Sequence, residues 1–218
     1  IVTGAVDALK SGAPQLHPEA PGNLIFDWEI GDSAAADAAI ASAAHVTEID
    51  IFNNRLSPNP MEPRATLGIY DTAEDHFTCY TTSQNPHVAR LVMSAFYNVA
   101  PEHKLRVIAP DVGGGFGSKI YIYPEEVVCL WASKKTGVPV KWTSDRTEAF
   151  LTDAHGRDHV SKVKMAFDKD HKIIGLKVDT IANLGAYMSL FSSSVPTYLY
   201  ATLLSGQYAI PAIHANVR

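Results

Sequence analysis

The sequence has only two cysteines, Cys79 and Cys129, and they stand too far apart for the CxxC spacing of a metal or redox motif. Two unpaired thiols suit a reducing compartment, so we expect both side chains to be small buried hydrophobes in a cytoplasmic protein. No apolar run approaches the roughly 20 residues that a membrane span requires. Charged residues make up 19% of the chain and the net charge is −5, which gives no electrostatic reason to expect nucleic acid or an anionic membrane surface as a partner.

What the sequence does contain is enough apolar material for a folded core, because 46% of its 218 residues are apolar. It starts with Ile1 instead of Met, shows no signal-peptide pattern, and alternates over residues 213–218 like a strand cut short. We therefore expect both ends to be boundaries inside a longer polypeptide. Frequent glycine and proline near the start predict a connector over residues 1–30 that follows an upstream domain, with one domain over residues 31–218.

Two segments are predicted to be helices. The first is a run of small residues that ends at about Ala44, and either Asp32 or Ser33 can cap its free N–H groups. The second and clearest begins at Pro86, follows Gln84-Asn85, and extends to about Val99. Its predicted apolar face consists of Val88, Leu91, Val92, Ala95, Phe96 and Val99.

A further helix is predicted from Pro124 to just before Gly137, and Asp145 with Glu148 resembles a capping box for one more helical turn. Alternating apolar residues predict strands over 46–52, 65–70, 76–82, 105–109 and 138–142, and a hairpin over 160–182 that turns at 168–171. Helices and antiparallel strands are mixed without regular βαβ alternation. The predicted fold class is therefore α+β.

The most informative segment is the glycine loop (residues 113–117), in which four of five residues are glycine. It is not a P-loop, because Gly117 is followed by Ser118 and then Lys119, the reverse of the required order. It also lacks the third glycine and the acidic residue of a dinucleotide-binding fingerprint. A tight turn is one explanation. The other is that bare backbone approaches a bulky polar ligand and offers it N–H groups, and we favour it because four glycines carry a large entropic cost.

Gln84 stands immediately before the N-terminus of the clearest helix, where free N–H groups and the helix dipole favour anionic atoms. Its carboxamide can donate to an oxygen while its carbonyl accepts from a neighbour. By itself this position is also ordinary for a residue that merely begins a helix.

Together these segments resemble the molybdenum hydroxylase family that includes xanthine dehydrogenase and aerobic carbon monoxide dehydrogenase. The pattern is Gln84 in an S/T-Q-x-P-H context, then a helix, then PDVGGGFG at 110–117. Further similar stretches are PMEPR (60–64), VPVKW (138–142), HGRDH (155–159), NLGAY (183–187) and GQYAIP (206–211). The resemblance covers nearly the whole chain and is strongest to the large chain of the carbon monoxide dehydrogenase group.

The resemblance implies that residues 31–218 are the N-terminal part of a molybdopterin-binding domain, with molybdenum and the cytosine dinucleotide form of the cofactor. Gln84 would then hold the apical oxo ligand, and Gly114, Gly115, Phe116 and Gly117 would lie against the metal and pterin. Gln84 and Phe116 would act beside the metal without ligating it. The family oxidises carbon monoxide or hydroxylates small molecules with water-derived oxygen, and passes electrons to 2Fe–2S and FAD subunits.

The chain also departs from parts of the family. Ile120 and Leu199 stand where purine hydroxylases have a substrate-binding Glu and Arg, which argues against a purine substrate. The Cys-bearing loop that holds copper in carbon monoxide dehydrogenases, and the catalytic Glu, are expected beyond Arg218. No catalytic residue is therefore expected within this chain, which would be inactive alone. The alternative is a non-catalytic fragment or interaction module that has lost the cofactor.

Several other polar residues carry weaker hypotheses. His155 and His159 have the i, i+4 spacing of a helical metal pair, but a glycine lies between them and we expect a structural role. Asp153 and Asp158 could act as an acid–base pair, but lone carboxylates in a charged turn are usually solvated. Ser118 has no visible base. Finally, Glu62 and Arg64 are expected to form a local ion pair, or else to line a substrate entrance.

Overall fold

The structure is a computed structural model that describes residues 2–218, and the chain divides into two compact units. The first unit comprises the N-terminal part up to Arg55 and the segment Arg157–Arg218, and the second is Leu56–Gly156. Both units combine helices with strands, which confirms the predicted α+β class. Within residues 2–218 there is no helix long and apolar enough to cross a membrane.

The described residues form nine strands and six α-helices, and all except α1, α6 and β1 lie close to predicted positions. The strands are β1 (Trp28–Gly31), β2 (His45–Asn53), β3 (Ala65–Asp71), β4 (His76–Thr81), β5 (Leu105–Ile108), β6 (Val140–Thr143), β7 (His159–Phe167), β8 (Ile173–Ala182) and β9 (Ile213–Val217). The helices are α1 (Ala5–Ala8), α2 (Ser33–Ser42), α3 (Pro86–Ala95), α4 (Pro124–Thr136), α5 (Arg146–Thr152) and α6 (Tyr198–Ala201).

The first unit is built on a five-stranded sheet with the order β1-β9-β8-β7-β2. Strands β7 and β8 form the predicted antiparallel hairpin, and β9 adds to β8 in the parallel direction. The core of this unit consists of Leu176, Val178, Ala201 and Ala215, with partly buried aromatic and aliphatic side chains packed around them. Helix α2 packs so closely on β8 that a Cβ at Gly175 would lie 2.7 Å from the Cβ of Ala39.

The segment predicted as a connector contains regular structure. Helix α1 lies within it, and β1 pairs antiparallel with β9 at the edge of the sheet. Its first residue, Ile1, lies outside the described residues. The proposed boundary between connector and domain near residue 30 stays a prediction.

Local capping explains where several helices begin and end. Asp32, one of the two predicted caps, accepts a hydrogen bond from the Ala35 N–H at 2.8 Å and so begins α2. Asp145 accepts from the Glu148 N–H at 2.7 Å, and α5 then continues beyond the single turn that was predicted. Helix α4 ends at Gly137, which adopts the left-handed conformation with φ +74°.

The second unit is built on a four-stranded sheet with the order β5-β4-β3-β6, in which β4 and β5 are parallel and the other pairs antiparallel. Helix α4 lies against β3, and α3 lies against β5. The residues buried between the helices and this sheet are Phe77, Cys79, Ala89, Met93, Leu105 and Leu130. The sheet thereby places the end of β4 and the end of β5 side by side, because the two strands run in the same direction.

Helix α3 differs from its prediction in length and in its buried face. It ends at Ala95 instead of Val99, because Asn98 adopts a left-handed conformation with φ +52°, as asparagine often does after a helix. Its buried residues are Ala89, Val92 and Met93. The predicted apolar face was therefore wrong in part, since its members Leu91, Ala95 and Phe96 are exposed.

A glycine in β3 allows α4 to approach the sheet, and this gives a first testable prediction. A Cβ at Gly68 would lie 2.6 Å from the backbone C and O of Cys129 and 2.7 Å from the backbone N of Leu130. Because backbone atoms of a packed helix cannot move independently, Gly68→Ala should lower the free energy of unfolding by about 1–3 kcal/mol, as overpacking does. Urea denaturation of the purified protein measures this change.

The matched control is Gly156→Ala, because a Cβ at Gly156 meets nothing within 4 Å and its φ is not positive. This variant should stay within about 0.5 kcal/mol of the wild type. Equal unfolding midpoints for Gly68→Ala and Gly156→Ala would contradict the close packing of α4 on β3.

Candidate functional site

The glycine loop follows β5 and precedes α4, and its backbone adopts conformations that side chains disfavour. Gly114 and Gly117 have φ values of +90° and +98°, which glycine adopts without steric cost. Phe116 also has a positive φ, +51°, and its side chain is 74% exposed. An exposed aromatic residue held in the left-handed region is strained backbone, of the kind that clusters at ligand sites.

The loop presents three consecutive backbone donors. In the described part of the chain, the N–H groups of Gly114, Gly115 and Phe116 have no hydrogen-bond acceptor. The N–H groups on either side are occupied: that of Gly113 donates to Glu62 Oε2 at 2.8 Å, and that of Gly117 donates to Gln84 Oε1 at 3.0 Å. Successive unpaired backbone donors are typical of anion-binding or polar ligand sites.

Gln84 lies between β4 and α3 and is oriented by two hydrogen bonds. Its backbone N–H donates to the Lys119 carbonyl at 2.9 Å, and its side-chain oxygen accepts from Gly117. Its Nε2 amide group has no partner among residues 2–218. The structure thus brings together the two segments that the sequence analysis singled out, and leaves the Gln84 amide with two N–H donors to offer.

The contact between Gln84 and the loop depends on the absence of a side chain at Gly115. A Cβ there would lie 2.3 Å from Gln84 Oε1, 2.7 Å from its Cδ and 2.8 Å from its Cγ. Gly115 has no positive φ, so a side chain at this position is excluded by the close approach of Gln84 and not by the backbone conformation.

Glu62 and Lys119 form an ion pair behind the loop, with Glu62 Oε2 2.7 Å from Lys119 Nζ. The Lys119 side chain is completely buried, whereas the Glu62 side chain is 35% exposed. Partial burial opposes the ionisation of Glu62, but hydrogen bonds from Lys119 and Gly113 outweigh it and lower the pKa of this carboxyl. The expected Glu62–Arg64 pair was therefore wrong, because Glu62 is engaged by Lys119.

Arg64 points into the unit instead, where it is the centre of a buried network. Its Nε donates to Asp153 Oδ1 at 2.6 Å and its Nη1 to Glu125 Oε2 at 3.1 Å. Its guanidinium carbon also lies 3.6 Å from the centroid of the Tyr123 ring, within cation–π distance. The hypothesis that Asp153 is solvated was wrong: its side chain is buried by the end of α5 and paired with Arg64.

Tyr123 connects this network to the glycine loop. Its hydroxyl donates to the Ser118 carbonyl at 2.7 Å and accepts from the Ala154 N–H at 3.0 Å. The Ser118 hydroxyl in turn donates to the Gly115 carbonyl at 2.8 Å. Ser118 is buried and has this structural bond, which agrees with the expectation that it is not a nucleophile.

The remaining candidates have structural positions. Asp158 was expected to be solvated, and this was wrong: its carboxylate pairs with Arg55 at 2.9 Å within the first unit. His159 begins β7, so it and His155 do not share a helix.

Both cysteines are buried as predicted, and burial raises the pKa of Cys79 to about 12. Across residues 2–218 there is no group of three or more His, Cys, Asp or Glu side chains that could hold a metal ion.

These donors suit a cofactor that carries its own metal ligands. The loop and Gln84 offer N–H groups and bare backbone, and they offer no thiolate, imidazole or carboxylate cluster for direct coordination. A molybdopterin would bring its own sulfur ligands for the metal, so the protein would need to supply only oriented donors of this kind.

Sequence reasoning missed the supporting residues Lys119 and Tyr123. Lysine is almost never fully buried unless paired, so its position after the glycine loop gave no local sign of burial. The only available signal was the acidic Glu62 in the PMEPR stretch, and it was assigned to the wrong partner.

Comparison with known proteins matches the chain to a family of cofactor-binding domains. Residues 16–218 match the family described as molybdopterin cofactor-binding domain. The chain is 37% identical over 231 residues to the carbon monoxide dehydrogenase large chain of Hydrogenophaga pseudoflava, covering 100% of this chain and 28% of that protein. It is 36% identical over 181 residues to the 6-hydroxypseudooxynicotine dehydrogenase complex subunit gamma of Paenarthrobacter nicotinovorans, covering 83% of this chain and 22% of that protein.

A solved structure, reconstituted CO dehydrogenase from Oligotropha carboxidovorans, superposes with a TM-score of 0.83 and 31% identity, covering 100% of this chain and 28% of the other. The chain therefore spans less than a third of the length of the relatives it matches.

Proposed function

The chain belongs to the family of molybdopterin cofactor-binding domains, and from this premise we propose that it surrounds the metal end of the cofactor in the large subunit of a molybdenum hydroxylase. One observation carries the proposal. Gly117 fixes the carbonyl of Gln84, which leaves the Gln84 amide N–H groups free beside a loop with three unpaired backbone donors.

In the proposed site each residue has a defined task. The Gln84 amide would donate to an oxygen atom of the bound cofactor, and Gly114, Gly115 and Gly117 would bring bare backbone against it. Phe116 would lie at the same surface, since its backbone is in the left-handed region and its ring is exposed. When bound, the molybdenum cofactor accepts two electrons as a water-derived oxygen is added to the substrate. The chain itself contributes orientation and hydrogen bonds.

The reaction of the whole enzyme is proposed to be oxidation of carbon monoxide or hydroxylation of a small molecule. Ile120 and Leu199 cannot form charged hydrogen bonds to a purine, so the substrate is proposed to be another small molecule. Electrons would pass to a 2Fe–2S subunit and an FAD subunit in the cytoplasm, and the cofactor would be the cytosine dinucleotide form. Copper would require a Cys-bearing loop in a part of the polypeptide other than these 218 residues.

The first test is the molybdenum, copper and pterin content of the complete subunit purified from its native host. Near-stoichiometric molybdenum with copper supports a carbon monoxide dehydrogenase, and molybdenum without copper supports hydroxylation of a different small molecule. If neither molybdenum nor pterin is found, the proposal fails and a non-catalytic interaction module becomes the better explanation.

A second test concerns Gln84 itself. Gln84→Ala should lower kcat of the complete enzyme by about 10- to 100-fold, as loss of a residue that orients a metal's ligands typically does. Its thermal unfolding midpoint should stay near that of the wild type, because the side chain is exposed. Gln15→Ala is the matched control, since Gln15 bonds only to carbonyls of its own exposed loop. Unchanged turnover in Gln84→Ala would refute the role assigned to Gln84.

A further inference from the structure

Lys119 is linked to both residues whose side chains hold the glycine loop. Its carbonyl accepts from the Gln84 N–H, and its ammonium group binds Glu62. Gln84 in turn accepts from Gly117 at one end of the loop, and Glu62 accepts from Gly113 at the other. The backbone and the side chain of one residue therefore connect the two anchor points of the loop.

The positive charge on Lys119 determines which residue can pair with it. Its side chain has no exposure to solvent, so its ammonium group requires a compensating carboxylate nearby. Within the described residues, Glu62 is its only ion-pair partner. The backbone of the loop is also in close contact with Glu62, since a Cβ at Gly113 would lie 2.6 Å from the Glu62 Cβ. If the Lys119 charge is removed, Glu62 loses the group that holds it against Gly113.

We propose that Lys119 and Glu62 are positioning residues whose ion pair fixes the glycine loop against Gln84, in the conformation that receives the cofactor. The inference rests on the proposed function for the identity of the ligand. The ordering of the loop by the ion pair does not depend on it. Glu62 acts through the backbone N–H of Gly113, and Lys119 acts through Glu62 and the backbone N–H of Gln84.

The test uses the complete protein, expressed without molybdate, in hydrogen-exchange mass spectrometry. In Lys119→Met and in Glu62→Gln, the hydrogen-bonded amides of Gly113 and Gly117 should exchange about tenfold faster than in the wild type. Peptides from β3 and β4 should stay unchanged in Lys119→Met. The double variant should exchange no faster than the more affected single variant, because both substitutions remove one shared interaction. Lys104→Met, which removes an ion pair with Asp75 in the same unit, should leave the loop unchanged.

The same variants expressed with molybdate connect the loop to the cofactor. Molybdenum per subunit should fall about tenfold in Lys119→Met and stay at the wild-type level in Lys104→Met, with similar unfolding midpoints for the two. Unchanged loop exchange in Lys119→Met overturns the proposal, as does faster exchange with full molybdenum content. A wild-type protein without molybdenum overturns the proposed function and the cofactor part of this inference, and the exchange data then still decide whether the ion pair orders the loop.

Discussion

Replacing Arg64 with methionine is expected to lower the free energy of unfolding by about 3–5 kcal/mol, the usual cost of removing one partner from a buried ion pair. Arg64 is 5% exposed and its partner Asp153 is 7% exposed, so the carboxylate left behind cannot be hydrated. The substitution also removes the cation that lies over the Tyr123 ring. Chemical denaturation of the purified protein, followed by the tryptophan fluorescence that Trp142 contributes beside Arg64, measures the loss.

Two comparisons test the cause of that loss. Arg90→Met removes an ion pair with Glu102 in which both side chains are more than 40% exposed, and it should cost less than about 1 kcal/mol. Asp153→Asn combined with Arg64→Met should be less destabilised than Arg64→Met alone, because the buried charge is then removed. If Arg64→Met and Arg90→Met have equal effects, the Arg64 network contributes no more than a surface pair.

Much of the fold could be predicted because its signals are local. Asp32 and Asp145 each accept from an N–H three residues further along the chain, so the start of a helix is encoded within one turn. Asn98, which ends α3, is equally local and could have been recognised. The buried face of α3 could not, because the apolar residues of the helix outnumber those that its neighbours cover. Which of them face the sheet depends on how α3 lies on β5.

The candidate site also combines features that the sequence indicated with features that depend on the tertiary fold. The meeting of Gln84 with the glycine loop followed from a resemblance between whole patterns, and the hydrogen bond to Gly117 agrees with it. The ion pairs behind the loop depend on tertiary structure. Arg64 pairs with Asp153, 89 residues away, instead of with Glu62, two residues away. Sequence distance cannot rank such partners, because the tertiary fold of the second unit brings the end of α5 to Arg64.

Gly115→Ala is expected to have the largest effect on activity, because it changes the loop and Gln84 together. The new Cβ would overlap three consecutive atoms of the Gln84 side chain, at 2.3 to 2.8 Å, so rotation of the terminal amide alone cannot relieve the contact. Gln84 must move away, and Gly117 then loses its acceptor. Displacement of about 1 Å at a site that orients reacting groups can reduce turnover by about 100-fold, and kcat of the complete enzyme should fall by at least that much.

Stability separates this effect from general misfolding. The clash falls on an exposed side chain at the surface of the unit, so Gly115→Ala should lower the free energy of unfolding by only about 1 kcal/mol. Gly156→Ala, an alanine added where a Cβ has open space, should retain both turnover and stability. If Gly115→Ala instead lowers the free energy of unfolding by about 3 kcal/mol, the upper end of the range for Gly68→Ala, the absence of a side chain at Gly115 is required for packing. If it retains turnover, the approach of Gln84 to the loop is not needed for the reaction, since the substitution removes that approach directly.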